Sequence, residues 1–441
     1  MFPPQILYLL DLLSPVLTPI WQIIKYWWWL PLPFILWQPF SFLWLWWRKE
    51  LWVKKINFIL LEIKIPKEVL KPVRAMEIVL AGLRQIIYQP PDWWEKWIDG
   101  QFQLSYSFEI VSINGEPHFF VRIPEPIRDS VESTIYAQYP ESEISIADDY
   151  TKNVPQDIPN KEWNLWAADY RPLRAEPYPI KTYSEFETER EAKEEKRIDP
   201  VAALLEAMAK IKPGEQLWVQ ITVVPVSSAE SPWIKEGEKI RDELARRPIK
   251  KPPKPVIFEA VDVLLTGKPP GGVKEDKEAV IPPEMKLTPG ERVVIEGVEK
   301  KIAKPGFKTN IRFIYLGKRD VFFTAKLRLV FAFFASYLTE NLNGLVPWGK
   351  TMTKIHKSWF LPINLILERR LYLRKRKIFK NYSLRTHSFW PRKAPWPAVF
   401  VLNIEEMASL FHFPGKSIAS APSVPRVEAK KGEAPPGLPT E

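Results

Sequence analysis

The sequence predicts an α+β protein in which one or more N-terminal transmembrane segments precede a cytosolic body of ferredoxin-like β-β-α-β and α-β-α units. Three observations lead to this expectation. Residues 26–47, YWWWLPLPFILWQPFSFLWLWW, carry no charge, and as a helix they would rise about 33 Å, enough to cross a hydrocarbon core of roughly 30 Å. Asn114-Gly115 separates FQLSYSFEIVSI from HFFVRI, which is the strongest short-range hairpin signal. A helix-strand-helix order recurs at 199–247 and 286–343.

Residues 1–55 are expected to form the membrane anchor. Trp27, Trp28 and Trp29 at one end of the apolar run, and Trp44, Trp46 and Trp47 at the other, match the aromatic belts of the two membrane interfaces. Pro31, Pro33 and Pro39 interrupt a helix, so the run reads as a broken span or a re-entrant hairpin. The earlier run PQILYLLDLLSPVLTPIWQII contains Asp11 and reads as a second, weaker span or an interfacial helix. Arg48, Lys49, Lys54 and Lys55 follow, and the positive-inside rule then puts the bulk of the chain on the cytoplasmic side of the cytoplasmic membrane. No basic stretch precedes the first apolar run, so a cleaved signal peptide is not expected.

An α+β domain is expected over 90–247. After the hairpin, EPIRDSVESTIYAQY places Ile127, Val131, Ile135 and Tyr139 on one helical face, and EISIAD reads as a short strand. This β-β-α-β order suits a small open sheet with helices on one face. Residues 149–181 read as a polar, proline-dotted excursion, and EFETEREAKEEKRID as a solvated face or spacer. Asp199 is placed as N-cap and Pro200 as first helical residue of DPVAALLEAMAKI. EQLWVQITVVPV alternates as a half-buried strand, and IKEGEKIRDELARR gives a polar helix. Residues 248–285 form a Pro- and Lys-rich linker. The α-β-α unit at 286–343 consists of GERVVIEGVEKKIAK, the strand KTNIRFIYL and a helix over 321–342. A basic segment at 344–397 and a short strand, helix and Pro-rich tail at 398–441 complete the chain.

The charge is concentrated. Between Gly344 and Pro397 thirteen Lys and Arg face the single acid Glu368, so this segment accounts for the whole net charge of +11. Within it Leu365, Ile366, Leu371, Leu373, Ile378 and Phe379 are combined with Arg369, Arg370, Arg374, Lys375, Arg376 and Lys377, and Lys380, Arg385 and Arg392 follow; such a stretch can contact anionic lipid headgroups or a nucleic-acid backbone without reading bases.

Catalytic signals are absent. The chain has no Cys, which excludes disulfides, thiolate metal sites and Cys nucleophiles. His118, His356, His387 and His412 fall at no metal-ligand spacing, so neither a metal nor a cofactor is expected. GLVPWGKT does fit the phosphate-binding pattern G-x-x-x-x-G-K-[ST], with Gly344, Gly349, Lys350 and Thr351 at the diagnostic positions. A working P-loop needs a strand before it and a helix after it. Here a helical pattern precedes, Pro362 follows closely, and Pro347 inside the loop lacks a donor. The match therefore reads as fortuitous and the chain as a non-enzyme; the rival reading is an ATP-dependent DNA translocase.

The stretches WWEKWIDGQFQLSYSFEIVSINGEPHFFVRIPEPIRDSVESTIYAQYPESEI, DYTKNVPQDIPNKEWNLWAADYRPL, KRIDPVAALLEAMAKIKPGEQLWVQI and FVLNIEEMASLFHFPG resemble a membrane-anchored family of candidate-phylum bacteria. That family is similar to the N-terminal, non-ATPase portion of coupling-type ATPases (TraG-like) of type IV secretion and conjugation systems. The resemblance implies a scaffold in a DNA or protein transfer apparatus. Its implied partner is a hexameric P-loop ATPase, with further copies of the chain; the apolar run and the basic segment add membrane lipids and, nonspecifically, DNA as partners, and leave a nonspecific nucleic-acid-binding membrane tether as a second alternative.

Overall fold

The computed structural model describes residues 25–26, 29–30, 32–66, 71–186, 199–227, 232–247, 287–355, 364–385, 398–414 and 426–427. The chain divides into two compact units, Met1–Asn57 with Pro90–Gln103, and Phe58–Gln89 with Leu104–Glu441.

The first unit holds helix α1 (Leu32–Val53) and a π-helical turn, Glu95–Asp99. Aromatic contacts join them: Trp44 Nε1 donates to the Trp97 carbonyl at 2.8 Å, Trp37 stacks on Trp97, and Trp52 meets the edge of Phe102. Gly100 ends the turn at φ +76°, and a Cβ there would lie 2.5 Å from the Arg48 backbone, so glycine is required on both counts.

The expected transmembrane segment is corrected by this unit. Among the described residues no helix is long and apolar enough to cross a membrane. The apolar run does not stay in one helix: residues 29–30 form a turn, and α1 starts at Leu32 and continues through Arg48, Lys49 and Glu50. Its uncharged part, Leu32 to Trp47, rises only about 24 Å, short of the roughly 30 Å core.

The second unit corrects the rest of the expected fold class. The separate ferredoxin-like and α-β-α units are replaced by one mixed α/β body on a ten-stranded, mainly antiparallel sheet. Its strands are β1 (Phe58–Pro66), β2 (Tyr106–Ile113), β3 (Glu116–Pro124), β4 (Glu143–Ala147), β5 (Trp163–Pro172), β6 (Glu215–Val226), β7 (Gly306–Lys318), β8 (Leu345–Pro347), β9 (Phe400–Asn403) and β10 (Arg426–Val427). They follow the order β10-β1-β3-β2-β6-β7-β5-β8, with β4 also on β1 and β9 also on β7. β2 and β3 form the expected hairpin, and its turn residues Asn114 and Gly115 both have positive φ, as a type I′ turn requires. The strands of the two helix-strand-helix segments, β6 and β7, lie side by side over twelve residue pairs from Glu215↔Gly317 to Val226↔Gly306. Two long strands absent from the sequence-based expectation, with the short β8 and β10, complete the sheet. β1 pairs with β3 and β4, and β5 pairs with β7 and β8.

Side chains alternate across the sheet with period two. On one face Tyr106, Phe108, Ile110, Val219, Ile221, Ile311 and Phe313 form the main core. It is covered by α2 (Val73–Ile87), α3 (Arg128–Gln138), α5 (Pro200–Ala209), α8 (Leu327–Ala335) and α10 (Ile404–Leu410); the short α4 (Tyr183–Phe186) packs at α10. α6 (Trp233–Leu244) and α7 (Pro289–Ala303) pair with each other. Asp199 caps α5 through its side chain, with Pro200 next. Thr288 and Glu291 close a capping box on α7. On the opposite face Val111, Trp218, Ile314 and Leu316 form a smaller core with Tyr150, Val154 and Ile158, covered by α9 (Asn364–Ser383).

Candidate functional site

Helix α9 lies within the basic segment 344–397, and its spacing divides it into two faces. Ile378, Phe379 and Tyr382 are buried against the sheet, where Tyr382 lies 5.1 Å from the Trp218 ring. Arg374 and Lys375 flank this stripe and are partly buried: Arg374 Nη1 donates to the Met352 carbonyl at 2.7 Å, and Lys375 Nζ to Asn164 Oδ1 at 2.7 Å. Burial and the nearby Arg319 push Lys375 down to about 8. Arg369, Arg370, Arg376, Lys377 and Lys380 face solvent with Tyr372 and Leu373. Arg392 lies outside the described residues.

Arg385 does not belong to the solvent-facing set. It follows α9 at φ +50° and is buried, with Nε and Nη2 donating to Glu109 at 2.8 and 3.2 Å, and Nη1 and Nη2 to Asp149 at 2.8 and 3.1 Å. Glu109 also accepts from Tyr150, Ser107 and Gln220, and the Tyr150 and Tyr382 hydroxyls meet at 2.8 Å. Burial alone would raise the Glu109 and Asp149 carboxyls, but Arg385, with Tyr150 and Ser107 on Glu109 and Thr151 on Asp149, more than offsets it and holds both below their usual values. This anchor is therefore complete above the unfolded carboxyl range near pH 4 and lost as pH falls through the lower folded values. Trp218 fluorescence in acid titration is expected to report release of α9 only below about pH 4; a transition centred near neutrality contradicts this.

The strand register extends the anchor into a polar row. Glu109 lies opposite Gln220, Gln220 opposite Arg312, and Arg312 opposite Asp169. In the next row Ser107, Thr222 and Asn310 are neighbours. Arg312 Nε donates to Asp169 Oδ1 at 2.7 Å. Its two Nη atoms, Gln220 Oε1, Thr222 Oγ1 and Asn310 Oδ1 are buried and find no hydrogen-bond partner, each an arrangement that costs about 1–3 kcal/mol. The signal for these residues is present in the sequence as polar letters two apart inside apolar strands: Ser107 and Glu109, Gln220 and Thr222, Asn310 and Arg312.

The P-loop-like stretch sits at the edge of the same sheet. Leu345–Pro347 is β8, paired to Tyr170–Pro172, and no helix begins at Thr351, which lies in a turn. The Trp348 N–H donates to the Asp169 carbonyl at 2.7 Å. Thr351 Oγ1 accepts from the Asp169 N–H at 3.1 Å, and Thr353 Oγ1 from the Ala167 N–H at 2.8 Å. These groups satisfy the open edge of β5. Gly344 is explained by a close approach, since a Cβ there would lie 2.2 Å from Leu338 Cδ1. Gly349 is exposed, and Lys350 Nζ lies 5.9 Å over the Trp348 ring.

Beside α9, Asp157, Pro159, Asn160, Lys161, Arg319 and Tyr372 line a cleft of about 600 Å³. Of the sequence-predicted interfacial tryptophans, Trp29, Trp46 and Trp47 are exposed and Trp44 is partly buried; Trp27 and Trp28 lie outside the described residues. Among the described residues no group of three His, Asp or Glu is placed to hold a metal. His118 Nδ1 bonds Glu62, and His412 Nε2 bonds Asp199.

A family model described as a domain of unknown function, DUF8128, matches residues 95–423. No curated protein matches the chain.

Proposed function

The chain belongs to the DUF8128 domain family, whose model covers most of its length, and within that family we propose a non-catalytic role for it. The chain is a scaffold of a conjugation-like, type IV secretion apparatus for DNA or protein transfer. It self-associates at the cytoplasmic membrane, with most of its length on the cytoplasmic side, and recruits a separate hexameric P-loop ATPase. The observation that supports this best is the use made of the P-loop-like stretch. Its Trp348 N–H and Thr351 hydroxyl are spent on the edge of β5, which leaves ATP chemistry to another chain.

The membrane placement is supported by α1. By helical spacing, the side away from Trp44 and Trp52 presents Ile35, Leu36, Leu43 and Trp46, all exposed, and Arg48, Lys54 and Lys55 follow. Such a helix suits the interface of an anionic bilayer, lying in its plane without crossing. Leu43→Glu with Trp46→Glu is expected to weaken flotation of the full chain with phosphatidylglycerol-containing vesicles about a hundredfold. Unchanged flotation removes the membrane placement.

The scaffold role is tested by mixing the full chain with a hexameric P-loop ATPase of a type IV secretion system. Co-elution and self-association in light scattering are expected. A chain that elutes as a monomer, apart from the ATPase, contradicts the role. A second reading, a nonspecific nucleic-acid tether, is favoured by the solvent-facing cations of α9. It requires DNA affinity that falls steeply with salt, because bound cations release counterions.

A further inference from the structure

We propose that the cleft between the Asp157–Lys161 segment, Arg319 and α9 binds one nucleotide unit of single-stranded nucleic acid, its phosphate held by cations and its base on Tyr372. The inference rests on the tether reading above and gives it a defined site.

Two cations line this opening and two more stand beside it on α9. Lys161 and Arg319 line it, Arg376 Nη1 donates to Tyr372 Oη at 3.0 Å, and Lys375 is close enough to Arg319 to be shifted by it. The hydrogen-bond partners that hold three of them are neutral. Arg319 Nε and Nη2 donate to the Asn160 carbonyl at 3.0 and 2.9 Å, Lys375 to the Asn164 side-chain amide and Arg376 to the Tyr372 hydroxyl. Asp157, the one carboxylate lining the cleft, accepts from Asn160 Nδ2 at 2.9 Å. Like charges held together by neutral partners leave a positive field, and a phosphate in the opening would relieve it.

The apolar component selects among phosphate carriers. Tyr372 is 41% exposed, and Pro159 lines the cleft with it, so a flat ring has a surface to lie on, as in sequence-tolerant single-strand binding. The exposed aliphatic side chains of α9, Ile366 and Leu373, do not line the cleft. Acyl chains would need that aliphatic surface beside the phosphate. A nucleobase needs only the ring.

The test uses the full chain and a fluorescein-labelled oligothymidylate, with binding measured over a range of salt concentrations. Lys161→Ala is expected to lower the slope of log affinity against log salt by about 0.7, one phosphate contact on a single strand. Tyr372→Ala is expected to weaken binding about tenfold while leaving the slope unchanged. Both residues are exposed or partly so, and an unchanged melting midpoint confirms intact folding. Lys377→Glu, which lies on α9 away from the cleft, is expected to change affinity less than either.

Four results overturn the proposal. Equal losses for Lys377→Glu and the cleft variants would mean diffuse attraction to the helix. Competition by inorganic phosphate that Tyr372→Ala leaves unaltered would make this a free-phosphate site. Cleft-dependent binding to phosphatidylglycerol vesicles, with none to oligothymidylate, would make it a lipid headgroup site. Salt-steep DNA binding that ignores the cleft variants would leave the tether reading standing and remove only this inference.

Discussion

Arg385→Met is expected to cost the second unit roughly 3–5 kcal/mol, because removing one partner of a buried pair strands the other. The Arg385 side chain is 3% exposed and the Glu109 side chain 0%, so solvent cannot take over. Met fills much of the same volume, which confines the loss to charge and hydrogen bonding. Three elements then come apart together: the C-terminal end of α9, the Asp149–Tyr150 turn and the Glu109 position of β2. Urea unfolding of the full chain followed by Trp fluorescence measures the effect. Adding Glu109→Leu to Arg385→Met is expected to restore part of the stability, since it removes the stranded carboxylate; a single variant within about 1 kcal/mol of the parent contradicts the anchor.

Lys301→Met is expected to have a comparable effect, again about 3–5 kcal/mol, but with the opposite pH signature. Lys301 and Glu406 pair at 3.1 Å with side chains 2% and 0% exposed. Glu406 also closes the capping box on α10 with Asn403 and accepts from the Ile180 N–H at 2.9 Å. Burial raises its carboxyl, and Lys301 with these N–H groups pulls it back only in part. A carboxyl whose folded value lies above its unfolded one loses stability as pH rises between the two. Without Lys301 the folded value rises further, so the variant should be least stable near neutrality and recover as the solution is acidified. Recovery on acidification is the distinguishing mark, because the Glu109 anchor weakens in the same direction.

Local elements were legible where one rule governed them. Asn114-Gly115 fixed the hairpin, and Asp199 and Pro200 the start of α5. β5 was not legible because WNLWAADYRP is covered on both faces, so its apolar letters do not alternate. β1 follows directly after the basic stretch that reads as membrane-proximal, and its partners β3 and β4 lie more than fifty residues away. The helix expected over 321–342 is shortened to Leu327–Ala335. The chain then turns to meet Asn343, whose side chain bonds the Ala175 and Tyr178 carbonyls, a long-range constraint with no local signature. Arg385 was legible as a basic residue but not as a buried one. Its carboxylates come from β2 and the Asp149 turn, and only the fold brings all three together.

The central claim, that this chain holds an apparatus together and supplies no ATP chemistry, is tested most directly by equilibrium binding of Mg-ATP to the purified full chain. The expected result is no saturable binding by the chain alone and no difference between the parent and Lys350→Ala. Saturable binding by the chain alone that disappears in Lys350→Ala would contradict the claim and make the chain a motor.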